Sequence, residues 1–113
     1  MTDQNCIFCK IISGQIPAAI VAQNDTIIVI KDIAPKAPIH YLIIPKQHVS
    51  DIKSLEPATA HLASDMLLMA KELSNNLAGT KSFRLIMNNG RESGQSVFHL
   101  HCHFLSGKQM LDF

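Results

Sequence analysis

Three histidines at strict alternation near the end of the chain constrain its fold more than any other feature. They lie in Val97-Phe98-His99-Leu100-His101-Cys102-His103-Phe104-Leu105. Side chains on a strand alternate faces. As a strand, the segment puts His99, His101 and His103 on one face and Phe98, Leu100, Cys102 and Phe104 on the other. The second face is nearly all apolar and needs a cover. The first obliges each imidazole to desolvate a polar ring and to find partners for two nitrogens. Packing alone does not select that pattern. It points to a metal site, or to a nucleophile with helpers.

The natural cover is a long helix over residues 54–78. Leu62, Met66, Met69, Leu73 and Leu77 recur on one helical face, Ser54 can cap the start, Pro57 sits in the first turn and Gly79 stops it. Ile20–Ala22 and Thr26–Lys31 read as strands joined by a turn at Asn24-Asp25. Tyr41–Ile44 and Ser82–Met87 follow, with Val97–Leu105 as the fifth. Cys6–Ile12 makes a short helix ahead of Gly14, and Asp32–Pro38, with two prolines, is a loop. Strands, one long helix and strands again predict an α+β class: a five-stranded antiparallel sheet with one long helix, in a single domain over 1–113. Cys102 falls on the core face, and His61, near the start of the long helix, is placed on the surface.

Formal net charge is +1 and the basic residues are scattered. That disfavours nucleic acid as a partner, since backbone binders carry basic patches. Met1–Asn5 is short and polar, unlike a signal peptide, and the longest apolar run, Leu42–Pro45, is too short to span a bilayer. Cys6, Cys9 and Cys102 form an odd set with one C-x-x-C. This suggests a reducing, cytoplasmic setting and a metal or redox role instead of a disulfide frame.

The loop before the histidines favours the nucleophile. Asn88 ends the preceding strand, and Gly94-Gln95-Ser96 supplies a flexible residue and two hydrogen-bonding side chains. Amides, hydroxyls and backbone N–H groups suit phosphate oxygens and a leaving group better than they suit a metal. A neutral imidazole can attack phosphorus when its other nitrogen donates to a fixed acceptor.

With these residues in view, the chain resembles the histidine-triad, or HIT, family, and in particular its Hint branch of nucleoside phosphoramidases. The likeness runs through Ile7-Phe8-Cys9-Lys10-Ile11-Ile12, Gly14, Ile16-Pro17-Ala18, Asp32-Ile33-Ala34-Pro35-Lys36-Ala37-Pro38, His40, Ile44-Pro45-Lys46 and His48. It continues in Gly94-Gln95-Ser96-Val97, the triad, and Ser106-Gly107-Lys108-Gln109-Met110.

The resemblance implies a homodimer in which two five-stranded sheets join, and a purine nucleotide of AMP or GMP type as ligand. Phe8, Ile11, Ile16 and Ile30 are expected to wall the base and Asp32 to bind the ribose. Asn88, Gln95, Ser96 and His103 are expected to hold the phosphate and leaving group, with His40 lining the same site and His101 as nucleophile. The implied activity is hydrolysis of nucleoside phosphoramidates and aminoacyl-adenylates through a nucleotidyl-histidine. Dinucleoside polyphosphate hydrolysis, or a nucleotide-binding scaffold with incidental catalysis, are the alternatives. Some family members hold a zinc ion on residues matching Cys6, Cys9, His48 and His99, which implies one structural zinc per chain. The chain departs from the Hint pattern at Ser106, where that branch usually has glycine, and at its tail, Leu111-Asp112-Phe113.

Overall fold

The sheet is antiparallel throughout. The computed structural model describes residues 3–79 and 81–113, so Met1 and Thr2 of the polar N-terminal segment lie outside it. Helix α1 (Ile7–Ile12) comes first, then β1 (Ile20–Gln23), β2 (Ile27–Lys31), β3 (Ile39–Pro45), α2 (His61–Asn75), β4 (Phe83–Ile86) and β5 (Cys102–Ser106). Single 3-10 turns at Ile52–Ser54 and Arg91–Ser93 complete the order. The strands lie as β1-β2-β3-β5-β4, which puts β3 and β5 inside and β1 and β4 at the edges. The α+β class and five-stranded antiparallel sheet are as the sequence predicts.

Helix α1 begins at Cys6, whose sulfur accepts from the Cys9 backbone N–H at 3.4 Å. The turn into β2 is held by Asn24, whose carboxamide oxygen accepts from the Thr26 and Ile27 N–H groups. This is the local bonding that makes asparagine a turn former.

Each sheet face carries its own core. Helix α2 lays Leu62, Met66, Met69, Ala70 and Leu73 on Ile27, Val29, Ile43, Leu100, Cys102 and Phe104. Short α1 covers the other face, bringing Cys6, Phe8 and Cys9 against Ile28, Ile30, Leu42 and Ile44. Cys102 is therefore core. Burial pushes its thiol up to about 11, which keeps it protonated. His61 is exposed.

Two elements begin well after their predicted starts. The helix begins at His61, not Ser54. Leu55 is extended, and Pro57 disfavours helical backbone at the residue before it. A lead-in turn precedes the helix instead, in which Glu56 N–H donates to Thr59 Oγ1 and Thr59 N–H returns to the Glu56 carbonyl. Ser54 does not cap the helix; it closes a turn on Asp51. The last strand starts at Cys102, not Val97. Its ladder with β3 ends at Ile43↔Cys102. Pro45 can donate no ladder hydrogen bond, and its carbonyl is taken by a histidine ring. Phe98 is consequently outside the core and exposed, against expectation.

Phe104 is fully buried and stacks between Phe83, at 4.8 Å, and Tyr41, at 6.1 Å, binding β3, β4 and β5 through one ring. Phe104→Ala is expected to lower unfolding free energy by about 3–5 kcal/mol in urea titrations. A loss below about 1 kcal/mol would contradict this role.

Candidate functional site

The α1 face of the sheet carries two clusters of ionisable side chains, with the ring of His101 between them. Phe8 touches both His99 and His101 edge-on, with centroids 5.7 and 5.1 Å away. His101 meets His103 at 5.3 Å. All three histidines face α1, although only His103 belongs to the regular strand.

The first cluster joins α1 to the segments after β3 and before β5. His99 Nδ1 lies 3.3 Å from Cys6 Sγ, 3.6 Å from Cys9 Sγ and 3.1 Å from His48 Nδ1, and Cys9 Sγ is 3.4 Å from His48 Nδ1. An ion bound tetrahedrally at about 2.0–2.3 Å separates nitrogen and sulfur ligands by about 3.3–3.8 Å. The four residues therefore fit a divalent metal with little movement.

Protonation supports the same reading. His99 Nε2 lies 2.7 Å from the Pro45 carbonyl. A carbonyl only accepts, so Nε2 carries the hydrogen and Nδ1 turns its lone pair to the thiols. Burial holds His99 down to about 4, that is, neutral. Burial also raises the Cys6 thiol, a bias that a bound cation reverses.

Each ligand has an outer partner. The Cys9 N–H donates to Cys6 Sγ, and the Asp3 N–H to Cys9 Sγ at 3.3 Å. Pro45 holds His99, and the Asp3 carboxylate faces His48 Nε2 at 3.8 Å. Such outer contacts orient metal ligands.

The second cluster, Asp32, His40 and His103, has residue types that could also ligate a metal. Its hydrogen bonds argue otherwise. The Lys36 N–H donates to His40 Nδ1 at 3.0 Å, so a neutral His40 carries its hydrogen on Nε2. That nitrogen lies 2.8 Å from His103 Nδ1 and 3.4 Å from Asp32 Oδ2. His103 Nδ1 must then accept, which leaves its Nε2–H as a donor. Burial lowers both rings, His103 to about 4 with help from neighbouring His101 and His40, so both are neutral near pH 7. The cluster is a directed chain of donors from Lys36 to His103.

His101 differs again. Its Nδ1 sits 2.7 Å from the His99 carbonyl and must donate, so whenever the ring holds a single hydrogen it is Nε2 that carries the lone pair. A buried imidazole with one nitrogen tied and the other lone pair free is equipped for nucleophilic attack.

The remaining candidates differ in burial and in contacts. Ile30 is buried, and Ile11 and Ile16 are half-buried. Asp32 is tethered by the Ala34 N–H at 2.7 Å. Asn88 lies beside Gly94, whose φ of +110° favours glycine and where an added Cβ would stand 3.6 Å from Asn88 Nδ2. Ser96 is exposed in a cleft of about 310 Å³ with Asp3, Cys6, His48 and Phe98, on the side of the thiol cluster.

Gln95 is turned inward. Its carboxamide oxygen accepts from the Gly90 N–H, and its nitrogen donates to the Ser50 and Val97 carbonyls. Its hydrogens are thus engaged in holding the 90–97 loop closed. Sequence reasoning misses Asp3, whose lone carboxylate carries no pattern. It also misses the Pro45 carbonyl and Lys36 N–H, since backbone groups leave no residue-type signal.

Comparison with known proteins identifies the family and the fold. Residues 5–113 match the family described as scavenger mRNA decapping enzyme C-term binding. An uncharacterised HIT-like protein of Synechocystis is 45% identical over 93% of this chain and 92% of its own. Protein HitA of Neisseria gonorrhoeae is 40% identical over 89% and 94%. A HIT family hydrolase from Clostridium thermocellum superposes with a TM-score of 0.93 at 42% identity, over 99% of this chain and 98% of that one. A histidine triad protein from Clostridium difficile gives 0.94 at 32%, over 100% and 99%.

If Asp3 orients the metal ligands, Asp3→Ala should weaken divalent-ion affinity about 10–100-fold in chelator competition. Unchanged affinity would remove Asp3 from the site.

Proposed function

The chain belongs to the histidine-triad family, and from that premise we propose that it hydrolyses purine nucleoside phosphoramidates and aminoacyl-adenylates, releasing the nucleoside monophosphate. The observation that carries the reading is the hydrogen bond from His101 Nδ1 to the His99 carbonyl, which leaves Nε2 as the nitrogen available for attack.

In the proposed reaction, Nε2 of His101 attacks phosphorus while the bond to the leaving amine or carboxylate breaks. The leaving group departs with the electron pair, and an amine also gains a proton. The attacking ring becomes positively charged, and its Nδ1–H bond to the His99 carbonyl strengthens as that charge grows. Water then attacks phosphorus, displaces His101 and releases the monophosphate. His103 donates from Nε2 to a phosphate oxygen, aligned through His40. Asn88 also binds the phosphate, and Ser96 relays the leaving-group proton. General acid help of this kind is typically worth about 10²–10⁴-fold. Phe8, Ile11, Ile16 and Ile30 enclose the base, and Asp32, with spare acceptor capacity, takes the ribose hydroxyls. Gln95 contributes by holding the loop that carries Ser96.

Two further assignments accompany this reading. Cys6, Cys9, His48 and His99 would hold one zinc ion per chain; two thiolates and two imidazoles would make a closed, structural donor set. Two chains form a homodimer by joining sheets at β4, an edge strand that exposes Phe83 and Ile86. Light scattering should give the mass of two chains; a monomer would count against the joined sheet.

His101→Ala should abolish release of AMP from adenosine phosphoramidate while leaving AMP binding largely intact. Near-normal turnover would sink the nucleophile assignment. Faster cleavage of diadenosine polyphosphates by the wild type would shift the substrate class and leave the histidine chemistry standing.

A pH effect follows from His103. Its folded pKa of about 4 lies below the ordinary 6.5, so between these values the unfolded chain binds more protons. The stability it contributes is fully present above about pH 6.5 and is lost as pH falls toward 4. His103→Asn should flatten the decline in melting temperature over that window; an unchanged slope would refute the assignment.

A further inference from the structure

His99 has a ring and a peptide carbonyl that face different partners. The ring is fully buried, with Nδ1 among Cys6, Cys9 and His48 and Nε2–H on the Pro45 carbonyl. The peptide carbonyl of the same residue accepts from His101 Nδ1 at 2.7 Å. The next residue is also pinned, since Leu100 N–H donates to the Val49 carbonyl at 2.6 Å. No regular ladder holds residues 98–101, which precede β5. The His99 carbonyl shares one rigid peptide plane with the Leu100 N–H, so the bond to Val49 sets its direction, while the contacts of the His99 ring hold the residue that carries it.

A second connection runs through α1. Phe8 lies in sequence between the thiol-bearing residues Cys6 and Cys9, and its ring edge meets both His99 and His101. Whatever holds Cys6 and Cys9 to His99 also holds Phe8 against the ring of His101. The cluster is linked to the nucleophile on two sides without touching the reacting atoms.

We propose that His99 is a positioning residue through which metal loading of the Cys6–Cys9–His48–His99 cluster sets the tautomer and aim of His101. With the cluster loaded, His99 Nδ1 is held as a ligand, Nε2–H stays on Pro45, and the His99 carbonyl stays aligned with His101 Nδ1–H. With the cluster empty, His99 can exchange tautomers, with Nδ1–H toward a thiol. Nε2 would then oppose the Pro45 carbonyl lone pair to lone pair. Relief of that repulsion requires the ring to move, and Phe8, whose ring edge meets both imidazoles, carries the displacement to His101. Displacement of a catalytic group by about 1 Å can cost about a hundredfold in rate. Loading of the cluster would therefore change turnover through His99 and Phe8, with none of the four ligands acting on the substrate.

The proposal rests on the hydrolase reading only for its rate measurement, so it is tested by spectroscopy and kinetics together. Full-length protein with nitrogen-15 in its histidine rings is compared in zinc-loaded, cadmium-loaded and chelator-stripped forms. Long-range proton–nitrogen correlation reads the His101 tautomer. In the zinc form His101 should be protonated at Nδ1. The larger cadmium ion, in a protein that stays folded, should shift the His101 ring resonances, and stripping should mix the tautomers. In parallel, kcat for adenosine phosphoramidate should fall at least tenfold on stripping while KM changes less than about threefold. Identical His101 resonances in the zinc and cadmium forms would overturn the coupling, even if the stripped protein unfolded. If the loaded wild type turned over no phosphoramidate, the hydrolase reading would fail, and the tautomer comparison would still decide the coupling.

Discussion

The hydrogen bond from His99 Nε2 to the Pro45 carbonyl is the constraint on which the site depends. At 2.7 Å it allows only one tautomer, because a carbonyl cannot donate. It takes up an acceptor at the end of β3 just where proline has ended the ladder. It turns the other nitrogen of His99 toward two thiols and His48. It also fixes the residue whose own carbonyl orients His101. One buried contact thus connects the end of a strand, a metal-compatible cluster and a nucleophile.

Two neighbouring clusters of ligand-type residues differ in function for the same reason. In the first, the Pro45 carbonyl lies behind His99, so the ring's lone pair faces the two thiols and His48. In the second, a backbone N–H lies behind His40, so the hydrogen on its Nε2 points at His103, which accepts it. Residue type does not distinguish a binding site for a cation from a proton-directing chain. The backbone group behind each ring does, and burial keeps His99, His40 and His103 neutral so that this direction persists.

Much of this architecture was legible in the sequence. The helical spacing of Leu62, Met66, Met69 and Leu73 correctly marks the buried face of α2, because amphipathic period and burial coincide there. Alternation correctly separates the histidines from Leu100, Cys102 and Phe104. It fails at Phe98 because it assumes a strand, and the strand partner ends at Pro45. The start of α2 was misplaced because Ser54 looks like a cap, whereas the extended Leu55 and a lead-in turn at Pro57 delay the helix. Gln95 reads as a phosphate ligand by type. Its inward hydrogen bonds to Ser50, Gly90 and Val97 depend on loop closure, which has no local signature.

The central claim is that Nε2 of His101 becomes covalently bonded to phosphorus. The most direct measurement is rapid alkaline quenching of the enzyme with adenosine phosphoramidate, followed by mass spectrometry of its peptides under conditions that preserve phosphorus–nitrogen bonds. The account predicts one adenylyl group per active chain, on His101 and bonded to Nε2. An adenylyl group on a different side chain, or turnover through direct attack of water with His101 never modified, would contradict it.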